Sequence, residues 1–417
     1  MRTVSMLVLP MLVVGGCYLS HERDASDAGA PPERVLFRAL SAGDDHTCAI
    51  DALGRTWCWG FAQQGQLGLG VGDGGCELRI TEGPIVDRPT RLPGGAIDDA
   101  EHVTAGGVHA CVRTAGAAIV CWGGNCRGQL GTGDERASLT PARAVHDDMA
   151  TGWRNAWAGR AHTCAIDRDA RTWCWGANEY GQLGLGTMSP RSEPGATTPM
   201  RVDDLGATIS AALGMAHTCA LSARGEILCW GANGAGQLGD GTHELRSRPA
   251  PVMLPGAATH VTAGDRHGCG VVDGRAWCWG WNERGQLGDG VACAPGDEAC
   301  AERPLPVPVA LEGRIEQIDA GSQFTCAIAV GRGVLCWGAN DVGQLGDGTS
   351  RSSASPVRVI GVDDAIELTA GANHACAIRR DRSVWCWGRN AQGQLGDGTL
   401  RDSAVPVRAD PVIEEGG

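Results

Sequence analysis

The 417-residue chain contains 19 cysteines, and their spacing limits the chemistry open to them. Fourteen fall into seven pairs nine or ten residues apart: Cys48 and Cys58, Cys111 and Cys121, Cys164 and Cys174, Cys219 and Cys229, Cys269 and Cys278, Cys326 and Cys336, Cys376 and Cys386. Each pair brackets turn residues, as Ala52 to Gly54 do in the first. Cysteines directly opposite on the strands of such a hairpin have Cα atoms about 4.5–5.5 Å apart, which admits a disulfide. Each bridge would contribute roughly 2–3 kcal/mol by restricting the unfolded chain. Zinc is the competing chemistry, because histidines alternate with these cysteines, but no second Cys-x-x-Cys completes a ligand set. Cys76, Cys126, Cys293 and Cys300 lie in loops; the simplest pairing joins Cys293 to Cys300 and Cys76 to Cys126. Nine bridges and a separate role for Cys17 account for all 19.

Other reactive groups point away from catalysis. The chain has no lysine, which removes Schiff-base chemistry and a P-loop lysine. Six histidines, His46, His109, His162, His217, His267 and His374, recur at one place in a repeated motif. Repetition of that kind fits a structural hydrogen bond better than a unique active site. Asp240, Asp289, Asp347 and Asp397 stand in Gly-Asp-Gly and read as turn residues, since no oxygen-rich calcium loop surrounds them. No acid–base pair and no Ser-His-Asp set stands outside the repeats, so no enzyme activity, metal or cofactor is expected. A net charge of −13 argues against nucleic acid, which requires a basic face.

The elements that position these residues follow from the repeat. Glycine (64) and proline (20) make up about a fifth of the chain, which disfavours long helices. Seven copies of Ala-Gly-x-x-His-Thr-Cys-Ala-Ile, a turn and Cys-Trp-Gly-x-Asn-x-x-Gly-Gln-Leu-Gly are present, with Trp-Gly beginning at Trp59, Trp122, Trp175, Trp230, Trp279, Trp337 and Trp387. In the third copy, alternation predicts strands over 154–158, 162–167 and 172–176 and a fourth near 200–202. Four strands per copy define a propeller blade, whose faces are covered only by neighbouring blades in a closed ring. The all-β fold is therefore a seven-bladed β-propeller over residues 35–410, followed by a short tail, 411–417. Val35 to Gly43 is expected to complete the last blade, so that N- and C-terminal strands close the ring.

These motifs resemble repeats of the RCC1 (regulator of chromosome condensation) family, with Ala62 in place of the usual Asn and Phe324 in place of His as departures. Eukaryotic members act as guanine-nucleotide exchange factors, and a secreted bacterial propeller of this shape inhibits β-lactamase. The resemblance implies protein binding through loops of the ring.

Residues 1–16 combine Arg2, an apolar run from Met6 to Val14 and small residues, the form of a signal peptide. Val14-Gly15-Gly16-Cys17 resembles the bacterial lipobox, which makes Cys17 the lipidation site and residues 17–34 a flexible tether. Tyr18 rather than Asp after the cysteine points to the outer membrane. An exported bacterial lipoprotein is thus expected, facing the periplasm or the exterior, where disulfides form. Exchange-factor activity does not suit that compartment.

Function is expected where the copies differ. The positions after Trp-Gly and before Gly-Gln-Leu-Gly share one rim, and Phe61, Arg127, Tyr180, Trp281 and Arg284 are residue types that dominate binding hot spots. Three insertions, 71–99, 187–199 and 291–308, interrupt the period; the last is acidic through Asp297, Glu298 and Glu302. The expected function is a lipid-anchored, monomeric module binding a protein at the cell envelope. A glycan-binding or structural envelope protein is the alternative.

Overall fold

The computed structural model describes residues 34–74, 83–93, 97–145, 152–191, 193–293 and 301–412. The signal and tether with Cys17, the loop residues Cys76, Asp297, Glu298 and Cys300, and residues 413–417 lie outside them.

Among the described residues, 28 strands form seven four-stranded antiparallel sheets, each with its strands in chain order. These are the seven blades of a propeller, all within one compact unit beginning at Val35. In the third blade the strands are Trp153–Ala158, His162–Asp167, Thr172–Gly176 and Ala196–Arg201. The first strand of each blade lines the axis and the fourth lies outermost. Second strands such as His46–Asp51 and His162–Asp167 are buried along their whole length because both faces meet neighbouring blades. Their polar ends, His and Asp, are therefore buried along with the apolar middle.

The ring closes differently from the sequence expectation. Phe37–Ala42 does not complete the last blade; it pairs with His46–Asp51 in the first, and the seventh blade builds its own four strands between Ala365 and Arg408. The hairpin turn at Gly43 to Asp45 brings its strands together at far lower loop entropy than a pairing across the whole chain. The first and last blades instead meet face to face. Leu40 N donates to Glu367 Oε1 (2.9 Å), Ala42 N to Thr369 Oγ1 (3.0 Å) and, at the outer edge, Val412 N to Pro89 O (3.0 Å).

The insertions also need correction, because each contains outermost-strand residues: Ile85–Arg91, the start of Ala196–Arg201, and Glu302–Pro308. The prolines that suggest a loop are tolerated there because an edge strand leaves amides unused.

Disulfides join all seven hairpin pairs, with Cα atoms 4.0 to 4.1 Å apart. The separation is shorter than expected and fits the closer, non-hydrogen-bonded kind of antiparallel pair. Cys126 and Cys293 are also disulfide-bonded.

Seven tryptophans, Trp59 and its equivalents, are fully buried between blades. Each indole Nε1 donates to a glutamine carbonyl of the preceding blade, as Trp59 does to Gln394 O and Trp122 to Gln66 O, both at 2.9 Å. Two glycines of the repeat make this possible. A Cβ on Gly60 (φ 109°) would lie 2.6 Å from Asp45 O, and one on Gly396 (φ 73°) 2.7 Å from the Trp59 indole nitrogen.

Candidate functional site: one loop face and the axial channel

The histidine belt lies between blades. His109, His162, His267 and His374 place Nε2 2.8 to 3.0 Å from the hydroxyls of Thr163, Thr218, Thr325 and Thr47 on the next blade. Each threonine donates its one hydroxyl hydrogen to a glutamine carbonyl, Gln129, Gln182, Gln286 or Gln394, so it accepts from His Nε2–H. Where the threonine is missing the pattern fails. His46 and His217 correspond to Ala110 and Gly268, and both of their ring nitrogens are buried without partners. Phe324, which replaces the seventh histidine, corresponds to Ala375. Burial holds all six histidines neutral, at about 4 for His46 and His217 and about 3 for the other four. Thr163→Ala leaves the His109 Nε2–H unpaired, with an expected loss of about 1–3 kcal/mol in urea unfolding.

The rim residues lie on the face formed by turns between first and second strands and loops between third and fourth. The residue after Trp-Gly donates its amide to the neighbouring turn, Phe61 to Asp45 O and Trp281 to Arg266 O, both at 2.9 Å. Within the loops, asparagine is a staple: Asn125 Oδ1 accepts from Leu130 N while Nδ2 donates to carbonyls of Asp134 and Arg136. Ala62 leaves the first blade without it.

Four of the five predicted rim residues form two clusters. Across blades two and three, Arg127 pairs with Glu179 (3.3 Å) and donates to Arg191 O, while Arg191 donates to Tyr180 Oη (3.0 Å) and lies over its ring at 5.8 Å. On blade five the Arg266 guanidinium stacks 4.5 Å from the Trp281 ring centroid, and Arg284 pairs with Asp341 of blade six at 3.4 Å. Phe61 fails as a contact residue. It is 5 % exposed, a Cβ on Gly83 would lie 2.7 Å from its ring, and it belongs to the packing of the first blade. Blade four, between the clusters, carries only Ala216, Ala232, Gly234 and Ala235 at these positions, leaving a low saddle.

The same face opens onto a channel of about 340 Å³ along the axis, which sequence reading missed. First strands present an unpaired edge there, and side chains of the preceding blade cap it: Ser41 Oγ accepts from Ala105 N, Thr104 Oγ1 from Ala158 N, and Asp319 Oδ2 from Ala370 N. Asp44 and Asp265 stand at the mouth with Arg160, whose Nε is 3.7 Å from Asp44 Oδ2. Burial, reinforced by the charge of Asp265, pushes the Asp44 carboxyl up to about 7. Burial also raises Asp45, Asp265 and Asp319, and lifts Glu367 to about 7. Among the described residues no group of three or more His, Cys, Asp or Glu side chains is arranged to hold a metal ion.

A ring of seven four-stranded antiparallel blades defines the class as a seven-bladed β-propeller. Residues 19–298 match the RCC1-like domain, and 273–328, 333–378 and 381–412 match the regulator of chromosome condensation (RCC1) repeat. The chain belongs to the RCC1-like domain family. It is 29% identical over 357 residues to the ultraviolet-B receptor UVR8 of Arabidopsis thaliana, covering 82% of this chain and 76% of that protein. It is 27% identical over 329 residues to the human E3 ubiquitin-protein ligase HERC2, covering 76% of this chain but only 5% of that protein. Its fold matches human WBSCR16 (TM-score 0.74, 23% identity, 85% of this chain and 94% of that one) and Prp20p of Saccharomyces cerevisiae (0.73, 21%, 90% and 87%).

Proposed function

We propose that this chain is an exported, lipid-anchored binding module that holds a protein partner of the cell envelope on its loop face and performs no catalysis. The carrying observation is the pair of preorganised aromatic–guanidinium clusters, Tyr180 with Arg191 and Trp281 with Arg266, flanking the saddle of blade four. Rings already fixed by a neighbour lose little entropy on binding, and Tyr, Trp and Arg supply most hot-spot energy. Protein binding by relatives supports the reading: Prp20p is described with its binding properties to Gsp1p and histones, and yeast RCC1 (Prp20) as bound to Kap60. The lipobox-like Val14 to Cys17 supports the anchor.

A soluble Cys17→Ser form used as bait in envelope extracts is expected to enrich one protein. Tyr180→Ala with Trp281→Ala is expected to weaken that capture at least about 30-fold, since hot-spot truncations cost about 2 kcal/mol or more each. Equal capture by both forms moves the site away from this face. In cells, Cys17→Ser is expected to shift the protein from the membrane to the soluble fraction and abolish labelling by an alkynyl fatty acid. A glycan partner would use the same two rings, and capture that survives deglycosylation excludes it.

A further inference from the structure

We propose that the face opposite the loop face, where the chain enters the ring at Val35, seats on a lipid bilayer surface with anionic headgroups. The inference rests on the lipid anchor proposed above. First strands run from this face toward the loop face, so their starts and the turns between second and third strands lie together on it. Leu53, at the first of these turns, is 65 % exposed, more than any other large apolar side chain among the described residues. Leu36 on the same blade, Val330 on blade six and Ile366 on blade seven are exposed as well. Backbone bonds join these points into one arc: Ala52 N donates to Leu36 O (2.7 Å), Phe37 N to Arg382 O (3.0 Å) and Arg380 N to Asp364 O (3.1 Å). Blade six meets the same arc, since a Cβ on Gly333, which ends the Val330 turn, would lie 3.0 Å from Asp363 Cα.

Charge on the arc runs against the −13 of the whole chain. Arg38, Arg332, Arg380 and Arg382 are exposed there, and none forms an ion pair with a described residue, while Asp363 and Asp364 are taken by Arg358 and Arg379. The exposed carboxylates left are Asp381 and Glu316. Apolar tips among unpaired guanidiniums suit a bilayer surface: the aliphatic groups enter the interfacial layer and the arginines stay at the level of the phosphates. The tether selects this occupant over a protein. Seventeen residues separate Cys17 from Val35 and span at most about 60 Å fully extended, so the bilayer stays within reach of the face the chain enters. The corresponding turns of blades three and five carry Asp169 and Asp273, and Ile209 of blade four is the one large apolar residue exposed at these positions away from the entry side. Seated this way, the propeller turns its loop face and both aromatic–guanidinium clusters away from the lipid.

The test uses the soluble Cys17→Ser form, so that partition reports the face and not an acyl chain. Its co-sedimentation is measured with mixed phosphatidylethanolamine–phosphatidylglycerol vesicles and with phosphatidylcholine vesicles, both up to millimolar lipid. Partition onto the mixed vesicles is expected, and weaker partition onto phosphatidylcholine. Leu53→Ser with Ile366→Ser is expected to lower the partition coefficient roughly tenfold on both. Arg332→Gln with Arg382→Gln is expected to lower it roughly 25-fold on the anionic vesicles, about fivefold per arginine, and to leave phosphatidylcholine little changed. All four side chains are exposed, so the urea midpoint is expected to stay at the parent value, which separates lost contact from lost folding. Met188→Ser, 57 % exposed on the loop face, is expected to change nothing.

No partition at millimolar lipid, or partition that both double variants leave unchanged, overturns the proposal. A loss with Met188→Ser as large as that with Leu53→Ser and Ile366→Ser moves the contact to the loop face and overturns it too. Loss of protein capture in Leu53→Ser with Ile366→Ser would give this face to a protein and remove the lipid assignment. The anchor is judged by a separate readout. Absence of fatty-acid labelling at Cys17 in cells overturns the anchor and leaves a positive vesicle result standing, whereas labelling without vesicle partition keeps the anchor and overturns the seated face.

Discussion

Acidification from pH 7.5 to 5 is expected to remove roughly 3 kcal/mol or more of unfolding free energy, read as a falling urea midpoint. The six belt histidines are the cause. Folded, they titrate at about 3 or 4 because burial forbids the charged ring; unfolded, they titrate near 6.5. Their contribution is complete above 6.5 and is lost as the pH falls toward the folded values, at about 1.4 kcal/mol per pH unit for each proton. His102, at about 4, acts in the same direction. Asp44 and Glu367 act in the opposite one: raised to about 7, they favour the folded state at low pH and lose that contribution as pH rises through 7. Asp45, Asp265 and Asp319, raised by burial, oppose in the same sense. Seven histidines against these five carboxyls leave a net uptake of roughly two to five protons on unfolding near pH 5. A midpoint that stays level between pH 7.5 and 5 would show that the belt is not sealed from water.

One substitution isolates the histidine term. His217 has no hydroxyl partner, because Gly268 stands where four other blades have threonine, and a Cβ there would meet the Trp279 ring at 2.9 Å. The protein already uses another solution at the equivalent place, Phe324, which is fully buried. His217→Phe is therefore expected to be near neutral at pH 7.5 and to stabilise by about 1–2 kcal/mol relative to the parent at pH 5, flattening the profile by about one proton. An unchanged profile would show that His217 takes no part in the acid sensitivity, leaving it to the other histidines or to carboxyls held low in the fold, Asp167, Asp240 and Asp381.

The fold was legible because its instructions are local and repeated: each copy carries its own hairpin, cysteine pair, turn glycines and blade-bridging tryptophan. The ring closure was misread because two pairings were open to Phe37–Ala42, and only loop entropy decides between them. Phe61 was misjudged because residue type does not tell whether a neighbour covers a ring, here Gly83. The channel escaped notice for a different reason. Its lining residues include position three of distant first strands, as at His102, Ser210, Gln317 and Glu367. No two of them are adjacent in sequence. Their variation was the available signal, since position-specific divergence within a repeat marked the outer loops and marks these strands equally well.

Breaking one hairpin bridge at the ring seam is expected to be the most destabilising single-site perturbation. Cys376 and Cys386 are ten residues apart and fully buried, in a core cluster that also holds Phe37, Leu40 and Trp59 of the first blade. Loss of the bridge restores freedom to the unfolded chain worth about 3 kcal/mol. Truncation of both residues to alanine also removes two sulfurs from the packed contact between the first and last blades, adding about 1–2 kcal/mol. Cys376→Ala with Cys386→Ala is therefore expected to lose about 4–5 kcal/mol in urea unfolding at pH 7.5. The same pair mutated to serine is expected to lose more, because hydroxyls would be buried without assured partners. Dithiothreitol is expected to destabilise the parent further than either variant, since all seven hairpin bridges open together. A double-alanine midpoint within error of the parent would mean that blade packing alone holds the seam, and the bridges would then matter for the folding of the chain rather than for the stability of the finished ring.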